Sequence, residues 1–398
     1  MSNTGSTIIV KIEKWVQNGL TIAYIDERPI FVHGALPGET VEIEIRKELS
    51  NYSFGQTIRV IESSENRIES DCVIFPECGG CSFRHISYDQ ELNLKTLLLA
   101  EHQYLSPHIN QLKIFSNEPN GYRHHSRLHQ QNHKVGFFSS WTKTVVNLPY
   151  LGCRQLAPAL NNALKTISKK DGDFQLYLNS NNQVEVTTLT GAMPKQSKQK
   201  SQPKNTTELN FKFNNFNWKY RPGQFFQANR FLIGDWLNYI QSLISENRPN
   251  TVELFCGTGL IGGYVRSKLG NYVGVESVGS SLNQARENFA NHKLTGKFHL
   301  VDLYQLKDID NLRQTKADLW IVNPPRAGLK STLCQMAIES SLQEIIYSSC
   351  NAATLSRDIG ELKAAGFTVT DIAAFDFFPR TPHLEVVLKL KRTQISKL

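Results

Sequence analysis

The segment TVELFCGTGLIGG, residues 251–263, is the strongest indication of the class of fold. It opens as a short apolar strand and continues into Gly257, Gly259 and Gly262, which have the spacing G-x-G-x-x-G. Between a strand and a helix, that spacing lets the backbone turn tightly and approach a nucleotide at the helix N-terminus. Similar apolar runs follow in YVGVE, KFHLVD, DLWIVN and EIIYSSC, with helical stretches between several of them. The alternation predicts an α/β, Rossmann-like domain with a doubly wound parallel sheet.

Two polar residues at the ends of these strands predict a cofactor pocket. Glu276 ends the second strand, where an acidic side chain can bind the ribose of either NAD or S-adenosylmethionine (SAM). Asn323 begins the turn NPPRAG at the end of the fourth strand, and its two prolines stiffen that turn against a flat ligand. Enzymes that methylate exocyclic amines of bases usually have an aromatic residue where Arg326 stands here. We therefore rank carbon methylation above amine methylation.

The fifth strand ends in a thiol. In IIYSSCNAATLSRDI, residues 345–359, Cys350 stands between an apolar run and a predicted helix. A buried structural cysteine is the plain alternative, but this position predicts a thiol whose pKa is lowered by backbone donors. Such a thiolate could add to C6 of uracil and so activate C5 for methylation.

That chemistry also needs a base for the C5 proton. The segment FDFFPRTPHLEVVLKL, residues 375–390, offers His383 and Glu385 before the last predicted strand. We favour Glu385 as the base. A solvated carboxylate at a strand start is the alternative.

Composition limits the partners and the compartment. The 398 residues carry a net charge of +8 with a pI near 9.0, which favours an acidic partner such as nucleic acid. No run of about 18 apolar residues is present, so no membrane span is expected. The first residues lack the features of a secretory signal, and we expect a cytoplasmic protein with reduced thiols.

Changes in composition and hydrophobic pattern divide the chain into three predicted domains. Residues 1–66 read as a small barrel of five strands, and residues 67–235 as a central α+β domain with a polar loop at 190–208. Residues 236–398 form the predicted cofactor-binding domain. In the central part GYRHHSRLH, residues 121–129, mixes cations with an aromatic ring and is a candidate for RNA contact.

Four cysteines form a candidate metal site. Cys72, Cys78 and Cys81 give C-x5-C-G-G-C, and Cys153 follows much later. Four thiolates can hold zinc or a [4Fe–4S] cluster, and spacing alone does not choose between them. Three close ligands beside glycines favour the cluster, in a structural or RNA-positioning role.

Together these motifs resemble the SAM-dependent RNA uracil-C5 methyltransferases that carry an iron–sulfur cluster. The N-terminal unit resembles a TRAM RNA-binding domain, CVIFPECGGC the cluster motif, and YLGCRQLAP the segment of its fourth ligand. RPGQFFQANRF, LFCGTG, GVE, NPPRAG, SSCNAATLSRD and FPRTPHLE follow in the family's order. The Asn-Pro-Pro-Arg form is most similar to the branch that methylates 23S ribosomal RNA, although that branch often lacks a TRAM domain.

The resemblance implies a set of roles. Cys350 would be the nucleophile and Glu385 the general base, with Cys72, Cys78, Cys81 and Cys153 as cluster ligands. The implied cofactor-binding residues, with the motif glycines, are Gln227, Phe255, Gly257, Gly259, Glu276 and Asn323. The expected substrate is 23S rRNA, with transfer RNA as the alternative, and the expected state is a monomer that needs no partner protein. An NAD-dependent oxidoreductase and a non-catalytic RNA-binding module are the alternatives from other classes.

Overall fold

The computed structural model describes residues 4–165, 167, 171–189, 208–305, 309 and 315–393. Within these residues the strands form four sheets, of six, five, two and eight strands. The predicted polar loop at 190–208 lies outside the described residues, apart from Glu208. No helix in the described part of the chain has the length and apolar character needed to cross a membrane.

The N-terminal unit is a six-stranded sheet with the order β1-β5-β6-β4-β3-β2. Its strands are β1 (Thr7–Lys11), β2 (Lys14–Val16), β3 (Leu20–Ile25), β4 (Arg28–His33), β5 (Thr40–Glu48) and β6 (Ser53–Glu62). The sequence predicted five strands, because IIVKIEKW reads as one. It divides where Ile12 and Glu13 donate their amides to different segments, at Glu39 and Ile22.

The central region combines a five-stranded antiparallel sheet, β10-β9-β8-β11-β12, with a separate hairpin, β13-β14. The capping box at Ser87 begins its first helix. The elements are α1 (Tyr88–Ala100), β7 (Lys113–Phe115), β8 (His125–Gln131), β9 (Lys134–Phe138), β10 (Val145–Asn147), α2 (Pro158–Leu164), β11 (Gly172–Leu178), β12 (Val184–Leu189), β13 (Leu209–Phe213) and β14 (Phe216–Tyr220).

The C-terminal region contains the five predicted strands, which pair in parallel in the order β17-β16-β15-β18-β19. Its elements are α3 (Ile233–Ser242), β15 (Thr251–Leu254), α4 (Leu260–Val265), β16 (Tyr272–Glu276), α5 (Gly279–Asn291), β17 (Lys297–Leu300), β18 (Leu319–Val322), α6 (Lys330–Glu339), β19 (Glu344–Ser349), α7 (Ala352–Ala364), β20 (Phe367–Phe375) and β21 (Glu385–Arg392). Strand β21 runs antiparallel to both β19 and β20. The sheet is therefore mixed, whereas the sequence predicted a wholly parallel sheet.

Side chains of the central strands pack alternately on the two faces of this sheet. Leu319 and Ile321 belong to one hydrophobic cluster, whereas Trp320 and Val322 belong to another. Both faces are therefore covered, which explains why these strands read as continuous apolar runs in the sequence.

The eighth strand of the C-terminal sheet comes from far upstream. Strand β7 pairs in parallel with β20 at the edge, through Ile114 beside Ala374. The sheet thus includes residues outside 236–398. The boundaries 1–66, 67–235 and 236–398 stay a prediction.

Candidate active site

Four of the proposed site residues lie at one edge of the eight-stranded sheet. Phe255 follows β15, Glu276 ends β16, Asn323 follows β18 and Cys350 follows β19. Because these strands are parallel, their carboxyl ends share an edge, which is where open α/β sheets bind ligands.

The glycine loop at this edge is held in an unusual backbone conformation. Phe255, Gly257 and Gly259 all have positive φ, at 61°, 55° and 76°. A residue with a side chain pays a cost of about 1–3 kcal/mol for that conformation, so Phe255 marks a constrained turn. The Gly257 amide donates to Glu276 Oε2 at 3.0 Å, while Oε1 accepts from the amide of Val278 at 2.8 Å. The carboxylate is thereby oriented before any ligand contacts it.

Gln227 lies in a segment that spans this edge. It is 4% exposed. On one side of it, Gln224 Nε2 donates to the Ser280 carbonyl in α5 at 2.9 Å. On the other, Asn229 Nδ2 donates to the Asp376 carbonyl, just after β20, at 3.3 Å. The segment therefore connects the helix behind Glu276 with the strand that leads toward Glu385.

The Cys350 thiol differs from expectation in its acidity. Burial raises its pKa, and the charge of Glu385 raises it further. The Arg326 guanidinium opposes both through its charge and a hydrogen bond. The prediction of a thiol with a lowered pKa was wrong, because the start of α7 is visible in the sequence whereas the burial of the thiol is not.

Glu385 lies next to this thiol through strand register. Ser349 of β19 pairs with Val386 of β21, so the residue after Ser349 and the residue before Val386 adjoin. Glu385 is 2% exposed, and burial raises its pKa to about 7. Such a carboxyl group is balanced between its two protonation states near neutral pH, as a general base requires.

A short relay of hydrogen bonds orients Glu385. Ser348 Oγ donates to Glu385 Oε1 at 2.5 Å and accepts from Trp236 Nε1 at 3.1 Å. Because the indole is only a donor, the serine hydroxyl is free to donate to the carboxylate. Sequence reasoning missed both Ser348 and Trp236. The only signal in the sequence for Ser348 is its place two residues before Cys350, which puts both side chains on the same face of the strand.

His383, the other candidate base, is engaged elsewhere. Its Nε2 accepts from Arg326 Nη2 at 3.2 Å. Burial lowers the pKa of His383 to about 4, with contributions from the charges of Arg326 and Lys95. The imidazole is therefore neutral at pH 7 and holds the arginine beside Cys350.

The four cysteines of the metal motif line one cavity. Cys72, Cys78, Cys81 and Cys153 share it with Arg84 and Gln155. Two buried donors face one sulfur, since Arg84 Nε and Gln155 Nε2 lie 3.3 Å and 3.1 Å from Cys81 Sγ. Among the described residues no three His, Cys, Asp or Glu side chains are grouped tightly enough to hold a metal ion. The metal prediction is therefore not confirmed.

Part of the segment GYRHHSRLH lies in the interior. Tyr122 is fully buried, with its hydroxyl donating to the Pro379 carbonyl at 3.3 Å, and His124 is 6% exposed. These two side chains pack within the protein rather than forming the RNA-contacting surface that the sequence suggested.

The fold and this edge define a class: an enzyme with a nucleotide-cofactor loop and a thiol beside a buried carboxyl group. A family model described as "tRNA (Uracil-5-)-methyltransferase" matches residues 41–393, and one described as "TRAM domain" matches residues 2–58. The chain belongs to the tRNA (uracil-5-)-methyltransferase family and has a TRAM domain at its N-terminus. It is a SAM-dependent RNA (uracil-C5)-methyltransferase. Of the two cofactors that the glycine motif allowed, SAM is therefore the one that fits the family, and NAD is not.

Known relatives cover almost the whole chain. A Leptospira interrogans protein named "Uncharacterized RNA methyltransferase" is 33% identical over 97% of this chain and 95% of its own length. The "23S rRNA (uracil(1939)-C(5))-methyltransferase RlmD" of Vibrio parahaemolyticus is 28% identical over 94% of each chain. The crystal structure of Pyrococcus abyssi tRNA (uracil-54, C5)-methyltransferase with S-adenosyl-L-homocysteine has a TM-score of 0.73 and 20% identity, covering 96% of this chain and 99% of that one.

Proposed function

We propose that this enzyme methylates C5 of a uridine in 23S rRNA, with Cys350 as nucleophile and Glu385 as base. The observation that carries the mechanism is the juxtaposition of a thiol and a buried carboxyl group of pKa about 7 at the cofactor edge. The substrate rests on the rRNA named in relatives such as that of Vibrio parahaemolyticus, which match along 94% of this chain.

The proposed reaction has three steps on the uracil ring. The Cys350 thiolate adds to C6, and the electron pair of the C5–C6 bond moves toward C5. C5 then forms a bond to the methyl group that SAM supplies, while the bond between that methyl group and the sulfonium sulfur breaks and S-adenosylhomocysteine leaves. Glu385 takes the remaining C5 proton, the electrons return to C5–C6, and the C6–S bond breaks to release the thiolate. The target base must leave its stack to reach this edge, at a cost of a few kcal/mol.

Arg326 would make the first step possible. Burial and Glu385 raise the pKa of Cys350, so the thiolate needs a compensating positive charge. Arg326 provides that charge beside the sulfur and is held by His383 at 3.2 Å.

Gln227, Phe255, Glu276 and Asn323, with Gly257 and Gly259, are the proposed SAM-binding residues. The loop fits a nucleotide ligand because its left-handed glycines keep side chains away from the approach, and no atom lies within 4 Å of a Cβ placed at Gly257. Glu276 would bind the ribose hydroxyls.

We further propose a [4Fe–4S] cluster held by Cys72, Cys78, Cys81 and Cys153. A single zinc ion needs all its sulfurs about 2.3 Å from one point, whereas a cluster binds each thiolate at a different iron. The support for the cluster is that the four thiols line one cavity and that three of them are close in sequence beside glycines. Donors from Arg84 and Gln155 would offset the negative charge of the bound sulfur of Cys81.

The substrate is tested by nucleoside mass spectrometry after incubation with isotope-labelled SAM. Unmodified 23S rRNA and unmodified tRNA would be supplied separately, and we expect labelled 5-methyluridine from the rRNA alone. The tRNA alternative has the Pyrococcus abyssi enzyme in its favour, but at 20% identity that likeness concerns the fold. Label in tRNA alone would overturn the substrate and keep the mechanism.

The catalytic roles are tested with Glu385→Gln. This variant should accumulate protein covalently attached to RNA, visible as a slower band on a denaturing gel, because the C5 proton cannot leave. Cys350→Ala should form no adduct, alone or combined with Glu385→Gln, while still binding SAM. Methyl transfer by Cys350→Ala would contradict the covalent mechanism.

Action on ribosomal RNA would put the protein in the cytoplasm, in line with its expected reduced thiols. That it works as a monomer, without a partner protein, stays a prediction.

A further inference from the structure

The turn before β21 is held by the cysteine segment. Residues 376–384 connect β20 to Glu385 and carry His383. Within them the Arg380 carbonyl accepts from the amides of Ser82 at 2.7 Å and Phe83 at 3.3 Å. In return Arg380 Nη1 donates to the Phe83 carbonyl at 3.2 Å. The backbone just after Cys81 therefore pairs directly with the turn that leads to the proposed base.

One buried side chain joins the two segments at their centre. The side-chain nitrogen Nε2 of Gln155 lies 3.1 Å from Cys81 Sγ, 3.2 Å from the Gly80 carbonyl oxygen and 3.2 Å from the Pro379 carbonyl oxygen. Gln155 is fully buried, and its Oε1 has no hydrogen-bond partner among the described residues. The unpartnered Oε1 is unfavourable in the interior. The position of the side chain is therefore maintained by the hydrogen bonds that Nε2 donates.

The turn needs such support. Arg380 has a φ of 67°, in the left-handed region that disfavours a residue with a side chain. A backbone of this kind keeps its conformation only where its surroundings hold it. The Pro379 carbonyl, one residue earlier, accepts from both Gln155 and Tyr122.

We propose that Gln155 is a positioning residue for methyl transfer, acting through the turn at Pro379 and Arg380 on His383 and Glu385. This rests on the proposed function only in that Glu385 is the base. In this arrangement the cysteine site fixes the geometry of the catalytic edge without taking part in the chemistry. The group that Gln155 contacts is the sulfur atom of Cys81, a proposed cluster ligand, so a change in the bonding of that sulfur would reach the turn through the same side chain.

The test compares Gln155→Leu with wild type by hydrogen exchange of peptides that cover residues 376–385. The variant removes the donors while keeping a similar volume. We expect exchange about ten-fold faster in this segment, as for loss of one buried hydrogen bond, with unchanged exchange in α4 and α5. Gln335→Leu, which changes an exposed glutamine of α6, is the matched control and should match wild type.

Kinetics provide the second readout. Gln155→Leu should lower kcat by about 10- to 100-fold, while the KM for SAM changes by less than about 2-fold, since a displaced base affects chemistry and not cofactor binding. Unchanged exchange in 376–385, or an equal loss in kcat and SAM binding, would overturn the proposal. If Gln155→Leu does not fold, Tyr122→Phe removes the other donor to Pro379 and should shift both readouts in the same direction. No shift with that variant would also overturn it.

The two proposals can fail separately. Hydrogen exchange is measured without RNA, so faster exchange in Gln155→Leu combined with no uridine methylation by wild type would leave the coupling standing and remove the proposed function.

Discussion

At the scale of single residues, Glu385 shows how burial sets reactivity. Its carboxyl group would be fully ionised at neutral pH in water, but burial raises its pKa to about 7. The Ser348 hydroxyl opposes that shift by donating to the charged form. A carboxylate in this state can accept a proton from carbon and release it again without being trapped in either form.

The pH dependence of kcat should report this group. As the proposed base, Glu385 must be ionised to accept the C5 proton, so kcat should rise with pH through about 7. Ser348→Ala removes a hydrogen bond to the carboxylate, which raises the pKa and should move the acid limb of the profile up by about one pH unit. Steady-state kinetics from pH 5 to pH 9 would measure this.

Ser349→Ala is the neighbouring control, because the Ser349 hydroxyl donates to the Asn351 carbonyl and not to Glu385. Its acid limb should match that of wild type. An acid limb that stays in place in Ser348→Ala would mean that another group controls the rate.

At the scale of elements, the glycine loop depends on contacts from the hairpin β13-β14. Trp218 of β14 is fully buried, and its Nε1 donates to the Thr258 carbonyl inside the loop at 3.1 Å. Helix α4 approaches the same indole so closely that a methyl group at Gly263 would lie 2.1 Å from Trp218 Cη2. Gly263 is therefore required for packing against Trp218 rather than for binding the ligand.

Gly263→Ala should lower the free energy of unfolding by about 1–3 kcal/mol, because overpacking displaces Trp218. It should also raise the KM for SAM, since Trp218 supports the loop through Thr258. Chemical denaturation and SAM titration would measure the two effects.

Gly279→Ala serves as the control for this substitution. A methyl group there meets only Leu300, at 3.9 Å, which is an ordinary contact. We expect the stability to stay the same or to rise by up to about 1 kcal/mol. Equal losses in both variants would argue against a specific clash at Trp218.

At the scale of the whole molecule, a buried ionic network joins the central region to the catalytic sheet. Lys95 of α1 contacts Glu91 at 2.7 Å and Asp376, just after β20, at 2.8 Å, and all three side chains are fully buried. Burial raises the pKa of Glu91 while Lys95 opposes it. Tyr88 donates to the second oxygen of Asp376 at 2.7 Å. Helix α1 is thus fixed to the turn that leads to Glu385.

Lys95→Met should lower the free energy of unfolding by about 3–5 kcal/mol, because Asp376 and Glu91 lose the buried cation that they share, and Glu91 keeps Arg380 at 3.4 Å. Lys268→Met removes an ion pair whose partner Glu246 has 95% of its side chain exposed, and should change stability by less than about 0.5 kcal/mol. Urea denaturation of both variants at pH 7 would compare them, and similar losses would contradict the role of burial.

Most of the C-terminal fold could be predicted from sequence because its central strands are covered on both faces. Such strands appear as continuous apolar runs, and each of the five predicted runs is a strand. The three-residue strand β7 has no such pattern, since KIF becomes a strand only by pairing with β20. The antiparallel direction of β21 likewise follows from its connection, which returns along the sheet rather than crossing over it.

The order of motifs, the glycine loop, and the presence of a thiol and a carboxyl group near one sheet edge could all be read from the sequence. The acidity of the thiol and of the carboxyl group follows only from the folded structure. Cys350 was expected to be acidic, and instead its pKa is raised. Glu385 was the favoured of two candidate bases, and strand register places it beside the thiol. The reason is that acidity depends on burial and on charges brought together by folding. Local order in the chain can fix where a residue stands, but not which distant side chains, such as Trp236 and Arg326, will surround it.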